Sequence, residues 1–596
     1  MAKSVLDKEY QVIVVGGGIA GICAAIASAR NGARTALIHN RPVLGGNASS
    51  EIRMHIVGAN CHGNRPEARE TGILEEILLE NRRRNPVHSF SVLDTVFWEK
   101  VRFQDGLDLY LNTEMTEVVT EAGIVRTVEA FQMTTEQRFR FHGTIFVDCT
   151  GDGYLAFQAG AYYRAGREAR SEYGESYAPE TADSKTMGNT LLFKAVDTGK
   201  PVEFEKPFWA HSFTEDDLAF RGHSAHNSAM EHYEVDYGYW WVELGGEQDT
   251  IADGEEIRDE LLKTVYGVWD HIKNRGDHGA ANYALEWVGF LPGKRESRRI
   301  MGDYVLQEPD CLTGRTFPDA VAYGGWPMDM HPPEGLRHRG DPTNFIKLED
   351  VYSIPYRCYY SRNINNLMMA GRNLSATHLA FGSARVMGTC AVGGQAVGTA
   401  AALAIRQGCL PREVSNHISE LQQNLLRDDC YIPGFKNTDP LDKALQSKVS
   451  ASFSVPDGDC RNVINGVARN EKEIHNGWIS EQPAAGAWLE LDLGGAQPIS
   501  EIHLKFDSNL SGEIMPSLSK TVIGKQVPGI PPQLIKDYEV TVLSGDEVKY
   551  CMQINDNYQR FRRHLLEAPV YGDRVRIRIG ATHGDAKARI FEVRIY

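Results

Sequence analysis

The 596-residue chain is too long for one ordinary domain, and at about 100–200 residues per domain it divides into three to five units. Hydrophobic residues make up 42% and charged residues 24%, the balance of a globular protein and not of a disordered or fibrous one. Sixty-three Lys and Arg against 79 Asp and Glu leave a net charge of −16, which argues against binding nucleic acid through its phosphates. Ten cysteines in so long a chain, none in a Cys-x-x-Cys pair, make neither a disulfide framework nor a zinc knuckle. Met1 to Tyr10 lacks the basic-then-apolar pattern of a secretory signal, so the cytoplasm is the expected compartment.

Gln11 to Val15 is a short β-branched apolar run, expected to form a buried parallel strand. Gly16, Gly18 and Gly21 follow in the spacing G-x-G-x-x-G, an Ala- and Ile-rich helix runs to about Arg30, and Thr35 to Ile38 reads as a second strand. In this β-α-β context Gly16 makes the tight turn, Gly18 lets a pyrophosphate approach the backbone, and Gly21 lets helix and strand pack closely. The helix N-terminus offers unpaired N–H groups to the phosphates. The acid expected at the end of the second strand is missing. His39 and Asn40 stand there, each able to hydrogen-bond a ribose, and Arg41 is able to meet the 2′-phosphate of NADP. A second glycine pair, Gly45-Gly46, followed by Asn47, turns the reading away from NADP.

This segment resembles the FAD-binding start of the two-dinucleotide-binding-domain flavoproteins. Gly45-Gly46-Asn47-Ala48-Ser49-Ser50-Glu51-Ile52-Arg53 is similar to a bacterial branch of FAD-dependent oxidoreductases, some of which carry the label xanthan lyase. Leu109 to Met115 looks like the strand whose backbone meets the adenine in that superfamily. Ile145 to Gly153, with Gly151 and Asp152 at its turn, resembles the middle FAD motif. Leu367 to Asn373, with Gly371 and Arg372, resembles the late motif together with Gly382 to Thr389, which holds Gly388. That motif closes over the ribityl chain and flavin ring. The resemblance implies one noncovalent FAD and a helix from about Thr389 to Ile405 aimed at the flavin ring. Val386 to Ile405 is free of charge and long enough to span a bilayer, but its Gly, Ala and Thr content reads as a closely packed interior helix, so no membrane partner is expected.

Between the early and late motifs, Tyr237 to Glu243 reads as an aromatic strand and Glu255 to Asn274 as an amphipathic helix. Tyr239, Trp240 and Trp241 would either stack on a sugar or alternate in a core. Leu291 to Arg299 looks like the arginine-rich signature of the branch. It brings Arg295, Glu296 and Arg298 forward for substrate orientation, with His378 or Arg385 as proton carrier. No metal constellation is expected. His55, Cys61 and His62 lie close together without a ligand spacing and read as a polar loop near the flavin.

His417 to Arg427 reads as a short helix. From Ala451 the texture changes to period-two strands, in Ala487 to Leu493, Ile499 to Phe506, Val575 to Ile579 and Ala588 to Tyr596. These strands, with Asn465-Gly466 and Trp478, resemble discoidin-like, galactose-binding jelly rolls, expected to pack on the catalytic body before binding glycans. The fold class read from all this is α/β. A Rossmann-like, glutathione-reductase-type FAD-binding domain (1–165 and 351–450) carries an inserted α+β substrate domain (166–350), and an all-β jelly-roll sandwich (451–596) follows. The implied activity is hydride transfer between flavin and a carbohydrate-like small molecule, oxidising a secondary alcohol to a ketone. Chemistry on a carbon–carbon bond of a carboxylate substrate and non-catalytic carbohydrate binding are the alternatives. The electron acceptor and association into homo-oligomers stay open.

Overall fold

The computed structural model describes residues 4–224, 235–236, 238–480 and 485–596. Its first sheet is built on β1 (Leu6–Val15), β2 (Thr35–Ile38) and β3 (Leu107–Tyr110). It continues through β4 (Thr113–Glu121), β5 (Ile124–Gln132) and β6 (Gln137–Asp148). The order is β3-β2-β1-β6-β5-β4, and strand Leu367–Met369 also pairs with β6. β1, β2, β3, Leu367–Met369 and β6 run parallel. β4 and β5 return antiparallel. β6 changes partner along its length. Gln137 to His142 pairs with β5, whereas Phe146 to Asp148 pairs with Leu367–Met369. That exchange brings the late motif beside the early one, although the two lie far apart in the chain.

Residues Val12 to Val14 are fully buried, as a strand covered on both faces requires. Helix α1 (Ile19–Arg30) covers one face and packs on helix Met387–Gln407. The contact is backbone to backbone. A Cβ on Gly394 would stand 2.2 Å from the Ala20 carbonyl oxygen, and one on Gly398 2.0 Å from that of Ala24. Two glycines four residues apart share a helix face, which explains the small-residue composition of this segment. The helix is long and apolar enough to cross a membrane by length and composition, yet 94% of its most apolar window is buried inside the protein.

Two expected strands are interrupted. Leu109 to Met115 breaks at Asn112, whose φ of +52° ends β3 and starts β4. In the aromatic segment Tyr237 lies outside the described residues, and the remainder is a turn in which Tyr239 has φ +38°. Only Glu243–Leu244 forms a ladder, with Asn189–Thr190. Tyr239 and Trp241 stack at 4.7 Å and are buried, while Trp240 stays half-exposed. A turn fits because two aromatics are wanted in the core of the insertion and the third at its edge. That core is built against helix Gly254–Asn274 through Leu261, Val265 and Trp269.

From Lys448 the chain forms an antiparallel sheet of seven strands. Strand Trp488–Phe506 is continuous where two strands are expected from the sequence. Its register with Phe561–Thr582 shifts between Asp492 and Gln497, around Gly494 at φ +76°. Period-two burial sends Leu489, Leu491, Ile502 and Leu504 into its own core. The chain after this strand packs into the first core through Ile514, Met515 and Leu518. Arg469, buried, donates to the carbonyls of Glu67 (2.9 Å) and Arg69 (3.2 Å) and to the Thr71 hydroxyl (3.2 Å).

Candidate functional site

The turn between β1 and α1 divides its three glycines by role. Gly16 has φ +104°, and a Cβ there would lie 2.2 Å from the Cys149 carbonyl oxygen. A Cβ on Gly21 would lie 1.9 Å from the Gly16 carbonyl oxygen. Gly18, the N-cap of α1, has nothing within 4 Å of its Cβ position and an extended backbone at φ −66°. The Gly16 and Gly21 side chains are excluded by protein. The space beside Gly18 is empty.

His39 has a different part from the ribose contact read from sequence. Its Nδ1 accepts the Gly17 N–H at 3.0 Å, and its Nε2 lies 3.0 Å from the Val43 carbonyl, so the backbone occupies both ring nitrogens. Burial depresses its pKa to about 4, which keeps the ring neutral. His39 therefore buttresses the glycine turn. Asn40 is exposed, and Arg41 forms a two-pronged pair with Glu51 at 2.6 and 3.0 Å. The Gly45 N–H donates to the Gly17 carbonyl (2.8 Å), and a Cβ on Gly46 would sit 3.2 Å from the Gly18 Cα, so the second glycine pair lies against the first turn. Met115 is buried on β4 in the core that also holds Ile13 and Ile38.

The middle and late motifs meet at Asp152. It accepts Lys294 Nζ at 2.7 Å, Ser297 Oγ at 2.8 Å and Arg372 Nη2 at 3.1 Å. Desolvation works against its charge, but Arg372 and Lys294 outweigh it and hold the carboxyl at about 2. A Cβ on Gly151 would stand 2.8 Å from Arg372 Nη2. Gly371 turns at φ +106°. Arg372 Nη1 and the Thr389 hydroxyl are buried without a hydrogen-bond partner. Asn47 ties the second glycine pair to the arginine-rich segment through the Lys294 carbonyl, at 3.2 Å.

A cavity of ≈2050 Å³ opens beside this junction. Asn47, Lys294, Arg295, Arg372 and Arg385 line it, as do Trp240 and Trp326. Sequence reasoning missed its most ordered polar group. His331 Nδ1 lies 2.6 Å from a Glu243 oxygen, and its Nε2 lies 3.2 Å from Asp329 Oδ1. Arg295 reaches Glu243 at 3.3 Å, and Arg385 reaches Asp329 at 3.2 Å. Burial raises the cost of charging Glu243, yet Arg295 and His331 hold its carboxyl below the usual range. Burial acts likewise on Asp329, and His331 and Arg385 overcome it. The signal for this group was the alternation Asp329-x-His331 around strand Met328–Met330, which sends both side chains to one face.

The other expected residues stand outside this cavity lining. His378 begins helix His378–Ala384 with Thr377 as its cap, and its Nδ1 is 2.9 Å from Glu296. Glu296 is fully buried and also accepts Arg299 and the Met187 N–H. Arg298 lies 3.9 Å from the Phe157 ring centroid, a cation–π contact near a half-exposed aromatic pair. Of the five residues expected to do chemistry, Arg295 and Arg385 face the cavity, and His378, Glu296 and Arg298 lie outside its lining. Nor does the expected absence of a metal constellation hold: three histidines and a glutamate converge in the insertion.

Glu70 lies under the start of helix Met387–Gln407, where a Cβ on Gly388 would stand 2.7 Å from its Oε2. Burial pushes its pKa up to about 7, partly offset by the Ala59 N–H at 2.8 Å. Its folded pKa exceeds the ordinary 4.5, so its stabilising share is complete below pH 4.5 and is lost as the pH rises through 7. At about 1.4 kcal/mol per pH unit this amounts to about 3 kcal/mol. Glu70→Gln is expected to raise Tm clearly at pH 8 and little at pH 5. Thermal melts at both values check this, and a pH-independent difference would contradict it.

The family described as FAD dependent oxidoreductase matches residues 11–425. No curated protein matches the chain. Among solved structures, the chain is similar to the fucose binding module SpX-3 of Streptococcus pneumoniae, with 15% identity, 26% of this chain and 96% of that chain covered, and a TM-score of 0.21. It is also similar to the family 32 CBM of C. perfringens NanJ in complex with galactose, with 14% identity, 26% and 96% coverage, and a TM-score of 0.19.

Proposed function

The chain belongs to the FAD-dependent oxidoreductase family, and on that premise we propose that it oxidises a secondary alcohol of a sugar, glycoside or polyol to a ketone. The residues present fit the cofactor. The open space at Gly18 suits a diphosphate beside the N-terminus of α1. The second glycine pair with Asn47 lies next to it, and the unpartnered Arg372 Nη1 and Thr389 hydroxyl offer donors toward the ring end. Bound noncovalently, FAD would supply the hydride acceptor.

The observation that carries the substrate class is the pairing of the four cations at the cofactor end of the cavity. Arg295 is matched by Glu243, Arg385 by Asp329, and Arg372 and Lys294 share Asp152. A guanidinium already neutralised by a carboxylate is a weak anion clamp, whereas a mixed array of donors and acceptors beside Trp240 and Trp326 suits neutral hydroxyl groups and sugar faces. Within this array His331, whose two nitrogens donate to Glu243 and Asp329, orients the Asp329 carboxylate, which accepts the hydroxyl proton, and Arg295 orients the neighbouring hydroxyls. His378, on the buried Glu296 outside the cavity lining, has a structural part.

A second reading, chemistry on a carbon–carbon bond beside a carboxylate, draws on Arg385 Nε, which is buried without a hydrogen-bond partner. An anaerobic panel of sugars and polyols against saturated and unsaturated dicarboxylates, followed at the flavin absorption band, separates the two. Bleaching by a sugar or polyol is expected. A response to dicarboxylates alone overturns the preferred substrate. The all-β C-terminal part is proposed to pack and to complete the cavity wall, since Glu513, Val522 and Lys525 line it. All ten cysteines are free, in keeping with a proposed cytoplasmic setting.

A further inference from the structure

Glu215 and His223 belong to an irregular segment of the insertion that comes before helix Gly254–Asn274 in the chain. His271 stands in the last turn of that helix, and His278 follows it. The four ligand atoms lie within 4.8 Å of one another. The three rings stand 5.0, 4.9 and 4.8 Å apart between centroids. All three histidines are more than nine-tenths buried, and Glu215 closes the group from the exposed side.

The hydrogen bonds behind the rings set which nitrogen faces the centre. His223 Nδ1 lies 2.6 Å from the Arg221 carbonyl, and His271 Nδ1 lies 3.1 Å from the Phe213 carbonyl. A carbonyl only accepts, so each Nδ1 carries the hydrogen and each Nε2 is the atom turned inward, that of His271 within 2.9 Å of Glu215 Oε2. Backbone carbonyls behind metal-bound imidazoles do the same. The Nε2 atoms of His223 and His278 are buried and make no hydrogen bond. Around one carboxylate they stand with His271 Nε2, at 3.3, 3.8 and 2.9 Å from Glu215 oxygens. A divalent cation at the centre would take these ring nitrogens together with the carboxylate.

We propose that Glu215, His223, His271 and His278 bind one Zn2+, which fastens segment 213–223 to the end of helix Gly254–Asn274. Imidazole and carboxylate ligands suit this ion, and four protein ligands make a closed, structural site. Ligands about 2.0–2.2 Å from a tetrahedral ion lie roughly 3.3–3.6 Å from one another, so the group closes on the metal by side-chain shifts of about 1 Å. None of the four lines the cavity at the cofactor junction, so the site is separate from the proposed active site. The sequence hid it because its ligands span Glu215 to His278 without a short repeat.

The test is metal analysis of the tag-free holoenzyme produced with zinc in the medium. About one Zn2+ per chain is expected, falling at least about tenfold in the His271→Ala/His278→Ala variant, with FAD content unchanged. Removal of zinc by a chelator is expected to lower Tm, and added Zn2+ to restore it. Wild-type protein without zinc, or zinc retained in full by the variant, overturns the proposal. Should the double variant fail to fold, Glu215→Ala at the exposed ligand and Co2+ substitution of the wild type decide. Intense tetrahedral d–d absorption to the red of the flavin band, weakened by Glu215→Ala, supports the site. Absence of that absorption rejects it.

Discussion

Gly18→Val is expected to yield a folded, colourless protein. The position has an extended backbone and nothing within 4 Å of its Cβ, so a Cβ meets no protein atom there. It does fill the space in which the cofactor's diphosphate would lie against the N-terminus of α1. FAD affinity is expected to fall by more than about 100-fold, or about 2.7 kcal/mol. The melting temperature measured without added FAD should stay near that of apo wild type. Gly21→Val provides the contrast, because its Cβ would stand 1.9 Å from the Gly16 carbonyl oxygen and folding itself should suffer. Flavin absorbance after purification, with a thermal melt, distinguishes these outcomes. A yellow Gly18→Val protein with full FAD content would remove the cofactor placement.

His331→Asn is expected to slow substrate-dependent flavin reduction by about 10²–10⁴-fold while FAD stays bound. Asparagine keeps polar contact with Glu243 and Asp329 but loses the ring that donates to both carboxylates and orients Asp329 toward the hydroxyl proton. Glu243→Gln should cost less rate but loosen the ring, since His331 Nδ1 loses its charged partner at 2.6 Å. His378→Ala acts elsewhere. It removes one of the partners of the fully buried Glu296, so its main effect should fall on stability. Stopped-flow reduction, FAD content and Tm measured on all three variants test the assignment. Unaltered reduction in His331→Asn would reject it.

The cofactor half of the protein was legible because its instructions are local. A buried apolar run, glycines at set spacings and a following helix specify a strand, a turn and a phosphate-facing N-terminus within a few dozen residues. The expected boundaries of α1, β2, strand Leu367–Met369 and helix Gly254–Asn274 lie close to the observed ones. The aromatic segment misled because Trp240 and its neighbours satisfy an alternating pattern whether the backbone extends or turns. Core demand for Tyr239 and Trp241 settled it as a turn. His39 misled in another way. Its position in the motif pointed to a ribose, but the nearby Gly17 N–H and Val43 carbonyl claimed both ring nitrogens.

Local pattern, then, was enough to point to a dinucleotide-binding turn and to the glycines proposed to seat its cofactor, because steric exclusion at a tight turn acts over neighbouring residues. The pairing of Arg295 with Glu243, the setting of His331 between Glu243 and Asp329, and the meeting of Glu215 with three distant histidines came only with folding. Charges and ligand atoms act over a few ångströms of space, and the distance along the chain between them carries no record of that.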